Sequence, residues 1–502
     1  MTGIADLLDR LAPEEKRALV RDLLLRRAKG DELFPLSHGQ QAMWFLHHVD
    51  PGNPAYNVPS AWRVLTRLDR AAFDGALADL AARHPMLRTT YVALEGIPFQ
   101  RVHPPAGQVR LESYDARDLD EDAFAALLTR EAMRPFDLAE GPVLRWHLYD
   151  RGDGGQVLLL NGHHIALDAW SAFQCLDELG VLYTARLRGE PPDLPEVGAR
   201  YTDYVRRQAA LLSGPEGARL AGYWRKRLAG PLPDLGLRTD RPRPRVRRRR
   251  GDRCPVSFDA ELSAALRRLA DAEAATLFVV LLAGFYTLLY RHTGQADLRV
   301  ATPTAHREQA AFSEVVGYFA DSVVLRADLA GPPSFRLLVR RVRDGVLDAL
   351  DHQDLPFAVL VDLLNPERDP SRPPLCEVSF GMQKSHRVRF RQARGPEGVS
   401  LFGLRSADAL VLDLGGLVLA PHPLSHPTSR YDLDLQLHET DGTIAGALTY
   451  DTDLFDRATV ERLVSNLRVL LAAAVADPDA PLSRLPMLTE EEQRLMLGWG
   501  AG

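Results

Sequence analysis

Apolar and polar positions follow two different rhythms along this chain, and the switches between them outline its elements. Leucines at helical spacing among mixed acids and bases over residues 4–28 predict a helix, or two helices broken near Pro13. The linker Lys29-Gly30-Asp31-Glu32 follows, and Ser37 is placed to cap an amphipathic helix reaching Leu46. A helix from Ala71 to His84 and strands near Val64, at Thr89–Val92 and at Val157–Leu160 build a first α/β unit. A second starts after the proline- and arginine-rich stretch 231–251, with helices over 259–270, 276–292, 334–353 and 457–476 and strands over 298–302, 377–382, 432–439 and 443–450. Two lobes that each mix sheet and helix are therefore expected, with no tandem repeat at the residue level to relate them. The most apolar run, Thr276 to Tyr290, is flanked by Glu273 and Arg291 and is too short to cross a bilayer comfortably, so it reads as a buried helix.

Length supports the division, since 502 residues exceed one core of ordinary size. With 46% hydrophobic and 25% charged residues the chain has the profile of a globular protein. A net charge of -6 provides no overall field for nucleic acid or an anionic membrane, and neither is expected as a partner. The arginine run from Arg241 to Arg250 lacks interleaved aromatics and is read as a solvated connection between the lobes. Cys175, Cys254 and Cys376 are scattered without CxxC spacing, which argues against a disulfide framework, a structural zinc site or a thiol redox pair and fits a reducing, cytoplasmic setting. Charges spread through residues 4–28 likewise differ from the unbroken apolar centre of a secretory signal.

Chemistry concentrates in one segment. The apolar run Leu158-Leu159-Leu160 leads through Asn161-Gly162 into His163 and His164, Asp168 follows four residues after the second histidine, and an amphipathic stretch begins at once. A strand-to-helix corner of this kind can hold a neutral imidazole beside a fixed carboxylate, as proton removal from a weakly acidic nucleophile near neutral pH requires. Buried histidines that merely satisfy hydrogen bonds are as common, so the pair alone leaves both readings open.

Seven ordered blocks resemble those of the condensation domains of nonribosomal peptide synthetases. His163-His164-Ile165-Ala166-Leu167-Asp168-Ala169-Trp170-Ser171 is similar to the HHxxxDGxS signature. The others are Ser37–Leu46 with Pro54-Ala55-Tyr56-Asn57, Arg83–Thr89, Tyr201-Thr202-Asp203-Tyr204, Val316–Arg326, His352–Phe357 and Arg368–Leu375, and the resemblance runs from Phe34 to Leu488. It implies an α/β (α+β) fold of two chloramphenicol-acetyltransferase-like lobes in a V-shaped pseudo-dimer with a central tunnel. The corresponding division is an N-terminal helical linker at 1–30, lobes at 31–208 and 209–488, and at 489–502 the start of a linker to an adenylation domain, so the chain reads as part of a longer synthetase. It further implies amide formation between a donor acyl or peptidyl thioester and an acceptor aminoacyl thioester. Both substrates arrive on phosphopantetheine arms of carrier proteins, and no metal or intrinsic cofactor is needed.

By the same resemblance His164 orients the attacking amine or takes its proton. His163, Asp168, Ala169, Trp170, Ser171 and Arg88 support it, with His163 as a packed residue and Arg88 as the ion-pair mate of Asp168. Ala169 stands where most relatives carry glycine, and a main-chain N–H at this turn suits an oxyanion. Its methyl is expected to narrow the tunnel. Asp321 and Ser322 replace the usual Asn-Thr and are expected to line the tunnel, with Asp321 adding charge. Met43, Trp44 and Phe45 are expected in the core. Heterocyclisation relatives, which lack the histidine pair, are set aside, and the Pro54–Asn57 context speaks against epimerisation. Ester formation with a hydroxyl acceptor, or a noncatalytic docking platform, remain as alternatives.

Overall fold

The computed structural model of the chain describes residues 32–105, 109–307, 309–331, 333–365, 369–383, 411–440, 442–489 and 491–494. The helix predicted over 4–28, Arg368 of the last block and most of the 489–502 linker lie outside the described residues. In chain order the strands are β1 (Glu32–Pro35), β2 (Asn57–Val64), β3 (Thr89–Leu94), β4 (Ile97–Val102), β5 (Leu111–Asp115), β6 (Leu144–Asp150), β7 (Gln156–His163), β8 (Gly251–Phe258), β9 (Asp297–Thr304), β10 (Asp321–Asp328), β11 (Val378–Gln383), β12 (Leu412–Asp413), β13 (Val418–Pro421), β14 (Leu433–Thr440) and β15 (Thr443–Asp451). The helices are α1 (His38–Val49), α2 (Arg70–Arg83), α3 (Glu121–Ala132), α4 (Ala169–Arg188), α5 (Tyr201–Ser213), α6 (Pro215–Arg227), α7 (Ala260–Ala272), α8 (Leu277–Thr293), α9 (Phe335–Leu350), α10 (Phe357–Leu364) and α11 (Arg457–Ala476).

Two six-stranded sheets carry the fold, ordered β12-β13-β2-β7-β6-β5 and β10-β9-β11-β14-β15-β8, with a small β1-β4-β3 sheet beside the first. Strand β7 is central, antiparallel to β2 with Asn57 opposite His163 and to β6 with Leu144 opposite Gly162. Both of its faces are covered. Leu158 and Leu160 join the main core of the first sheet under α2 and α4, whereas Val157 and Leu159 pack with Phe124 and Leu128 of α3. A strand buried on both sides has no polar face to show, which is why its sequence reads as a continuous apolar run. The same logic holds for α8, where every residue from Val279 to Leu289 is buried in the core of the second sheet. Among the described residues no single helix is long and apolar enough to cross a membrane.

Three expectations change. Residues 412–421, assigned by sequence to the second lobe, form β12 and β13 and extend the first sheet, where Leu419 pairs with Val64. Such short strands carry too few residues for a period to show. The arginine run is exposed at most of its positions, as a solvated connection would be, but it is fastened to the second half: Arg243 binds Asp432, Arg241 binds Asp456, Arg248 lies 3.0 Å from Asp453, and Arg247 is 3.7 Å from Asp451. Finally, Met43 is buried but Phe45, two residues on and so about 200° around the helix, is 55% exposed, while Trp44 stacks on His48.

Candidate active site

Strand β7 ends at His163, and Asp168, just beyond the turn, caps α4 by accepting a hydrogen bond from the Ser171 amide at 2.8 Å. The corner closes because residue 162 is glycine, since a β-carbon there would come within 2.7 Å of Leu167 and 3.1 Å of Leu144. It is braced from the first helix. Gln40, fully buried and part of a capping box with Ser37, donates to the Ile165 carbonyl at 3.1 Å, as does the Tyr91 hydroxyl. Arg83 and His84 of the second block tie α4 down further, both meeting Glu178 Oε2, at 2.8 and 2.6 Å.

The two histidines have opposite surroundings. His163 is buried between the edges of Phe136 and His47, and its Nδ1 accepts the Ile165 N–H at 3.1 Å. Burial, with nearby positive charge, holds its pKa down to about 3, so it is neutral and spent on packing. His164 is only partly buried, and its main-chain N–H donates to Tyr56. Its Nδ1 lies 2.9 Å from the Leu167 carbonyl, which can only accept; Nδ1 therefore carries the proton and Nε2 keeps a lone pair. The ring stands edge-on to Tyr318 at 5.2 Å. Desolvation first, then the charge of Arg430, bring its pKa to about 4 against the pull of Asp168. Arg430 itself is exposed to solvent.

Asp168 is committed elsewhere than the sequence suggested. Its mate is Arg307, whose Nη2 lies 3.3 Å from Oδ1, and not Arg88, which donates to the carbonyls of Ala81 and His103. Oδ2 accepts the amides of Phe319 and Ala320 at 3.1 and 3.3 Å. Burial pushes the carboxyl up, but Arg307 and the hydrogen bonds from Ser171 and Phe319 outweigh it and hold it below the usual range. Ser171 belongs to the same clamp, donating to Gly317 O at 2.8 Å and accepting from Gly317 N at 3.0 Å and from Arg307 at 2.6 Å. No side chain fits at 317, where a β-carbon would sit 2.1 Å from the Tyr201 ring. Trp170 is 38% exposed and lies under the Arg307 guanidinium at 5.6 Å.

Ala169 is the first residue of α4 and is not among the residues with positive φ, so its methyl strains nothing. Ala169→Gly should therefore cost less than about 1 kcal/mol through backbone entropy, read as a small shift in thermal midpoint. A larger loss would mean that the methyl packs. Asp321 and Ser322 open β10 directly after the amides that hold Asp168. The Asp321 carboxyl accepts from Phe357 N at 3.0 Å, and burial raises its pKa. Arg307, Tyr318 and Arg430 are the members that sequence reasoning missed as site residues. Tyr318 sits inside a recognised block, but Arg307 and Arg430 are single arginines with no local pattern to mark them. Among the described residues no group of His, Cys, Asp and Glu could hold a metal ion.

Two mixed α/β sheets with a histidine presented at the end of a central strand make a fold of the chloramphenicol-acetyltransferase type. The condensation-domain family matches residues 31–497, and the chain belongs to the condensation domains of nonribosomal peptide synthetases, acyltransferases that form amide bonds. It is 37% identical to chondramide synthase of Chondromyces crocatus over 93% of its own length, and 37% identical to phosphinothricin tripeptide synthetase PhsB of Streptomyces viridochromogenes over 90%. It spans 12% and 37% of those two relatives respectively. Among solved structures it is similar to the X-domain from teicoplanin biosynthesis, with a TM-score of 0.79 at 28% identity over 91% of this chain and 98% of that one. A four-domain nonribosomal peptide synthetase shares the fold, with a TM-score of 0.81 at 22% identity over 92% of this chain and 34% of that one.

Proposed function

We propose that this domain moves an acyl or peptidyl group from the phosphopantetheine thioester of a donor carrier protein to the amine of an aminoacyl thioester on an acceptor carrier protein, beside an adenylation domain of the same synthetase. The carrying observation is the tautomer of His164, whose Nδ1 is occupied by the Leu167 carbonyl and whose Nε2 is left to face the reaction as an acceptor. The amine attacks the donor carbonyl carbon while one of its hydrogens is held on Nε2. As the C–N bond forms the nitrogen becomes acidic, and its proton passes to Nε2 and on to the departing sulfur as the C–S bond breaks. The amide remains on the acceptor arm and a free thiol on the donor arm. The main-chain N–H of Ala169, at the positive end of α4, is suited to the oxyanion of the tetrahedral intermediate. So weak a base contributes more by holding the amine at attack distance than by deprotonating it beforehand. His163, Asp168, Ser171 and Arg307 keep the corner in shape, and Asp321 and Ser322 border the acceptor path. No intrinsic cofactor enters, because the thioester is already activated.

A pH profile follows from the depressed pKa. His164 stays neutral well below pH 6, so its own titration adds no acid limb near 6.5. With an amine acceptor, the rate should fall as the α-ammonium forms, around its ordinary pKa of about 8; with the hydroxyl analogue the profile should be flat from pH 6 to 8. An inflection near 6.5 common to both acceptors would contradict this.

The test of the function is a competition between an aminoacyl acceptor and its hydroxy-acid analogue on identical carriers. Amide should dominate, and predominance of ester would select the hydroxyl reading. A docking role is favoured by the likeness to the teicoplanin X-domain, which is also solved in complex with OxyB; any catalysed transfer removes the noncatalytic reading.

A further inference from the structure

Between β9 and the block that grips Asp168 runs a loop containing His306, whose φ is +47°, a left-handed conformation that residues with a β-carbon adopt rarely. The next residue is Arg307, which meets Asp168 and Ser171 through Nη2 and the carbonyls of Phe312 and Val315 through Nη1, at 3.1 and 2.9 Å. The His306 ring is 8% exposed, and its Nδ1 lies 3.5 Å from Asp354 Oδ1. His306, Asp321, Asp354, Tyr204 and Arg207 line one cavity behind the corner. Asp354 is held below its usual range first by its hydrogen bond with His306, whereas Asp321, raised by burial, is drawn back by the same imidazole. Asp321 in turn takes the Phe357 amide and directly follows Phe319 and Ala320, the residues whose amides hold Asp168.

The Arg307 arm that closes on Asp168 thus follows directly on an imidazole that faces Asp354, and Asp321, next in the chain to the 319–320 amides, lines the same cavity. We infer that His306 is a positioning residue for the transfer reaction, acting through Arg307 and Asp168 on the corner that presents His164. A turn that needed only left-handed geometry would be served by glycine or asparagine without a charged cluster behind it. A histidine at this conformation persists because its surroundings over-determine it. The inference rests on the amide-forming reading above.

Its test compares His306→Gly, His306→Asn and Asp354→Ala in the carrier-loaded domain, with thermal midpoints alongside. His306→Gly relieves the backbone, so it should melt no lower than the native protein, while kcat falls about tenfold and the KM for the acceptor carrier is unchanged. His306→Asn, which accepts the conformation and can still donate to Asp354, should restore most of that loss. Asp354→Ala should lower kcat similarly, and the double variant His306→Gly/Asp354→Ala should lose no more than either alone. A native kcat in His306→Gly, or an asparagine variant no better than the glycine one, overturns the inference while leaving the functional reading in place. A native domain that transfers nothing overturns that reading, and this one with it.

Discussion

His164→Ala should lower single-turnover amide formation by at least about 100-fold, the lower end of what a positioned proton acceptor contributes, while the domain stays folded. The loss is large because the substitution removes at once the Nε2 acceptor, the edge packed against Tyr318 and the group that fixes the amine. The fold survives because the side chain is only partly buried and gives up one neutral hydrogen bond, to Leu167 O, worth about 1 kcal/mol. Intact-mass measurement of the acceptor arm reads the chemistry, and circular dichroism the fold. Turnover within about tenfold of the native domain, only ~1.4 kcal/mol, would remove His164 from the centre of the account.

Asp168→Ala and Arg307→Ala should each destabilise the protein by about 3 to 5 kcal/mol, because each leaves a charge buried without its mate. Both side chains are 3% exposed, so solvent screens little of the loss. Asp168→Ala forfeits in addition the cap of α4 and the acceptor of the 319–320 amides, and should be the worse of the two. The double variant should cost clearly less than the sum, the signature of a shared interaction. Arg88→Ala, which loses hydrogen bonds to two carbonyls and no buried ion pair with Asp168, should cost less than Arg307→Ala. Normal melting of Asp168→Ala with activity lost would instead give the carboxylate a direct part in the chemistry. Chemical denaturation of the four variants settles the order.

The corner and its mate were unequally legible. His163, His164 and Asp168 lie close together in the chain, and strand and turn each leave a local pattern, so the strand-to-helix corner and the candidate acceptor could be read from sequence. Arg307 could not, because it reaches Asp168 across 139 residues and nothing in its own neighbourhood distinguishes it from other arginines. Arg88 sits in a block that does help to hold the corner, but through its neighbours Arg83 and His84, which meet Glu178. Long periodic elements such as α8 and α11 were visible because burial repeats over many turns. The exchange of residues 412–421 into the first sheet was not, since two short strands carry no period. The fastening of the arginine run was missed for a related reason: composition registers the charge of a segment but not the aspartates that fold back onto it from residues 432–456.

The most direct measurement is a single-turnover transfer, in which the domain is mixed with an acyl-loaded donor carrier and an aminoacyl-loaded acceptor carrier and both arms are followed by intact mass. The account predicts that the donor arm loses its acyl mass at the rate at which the acceptor arm gains it. It also predicts that blocking the acceptor amine stops both changes. Loss of acyl mass as free acid with no gain on the acceptor, or a rate no faster than that of the two carriers without the domain, would contradict it.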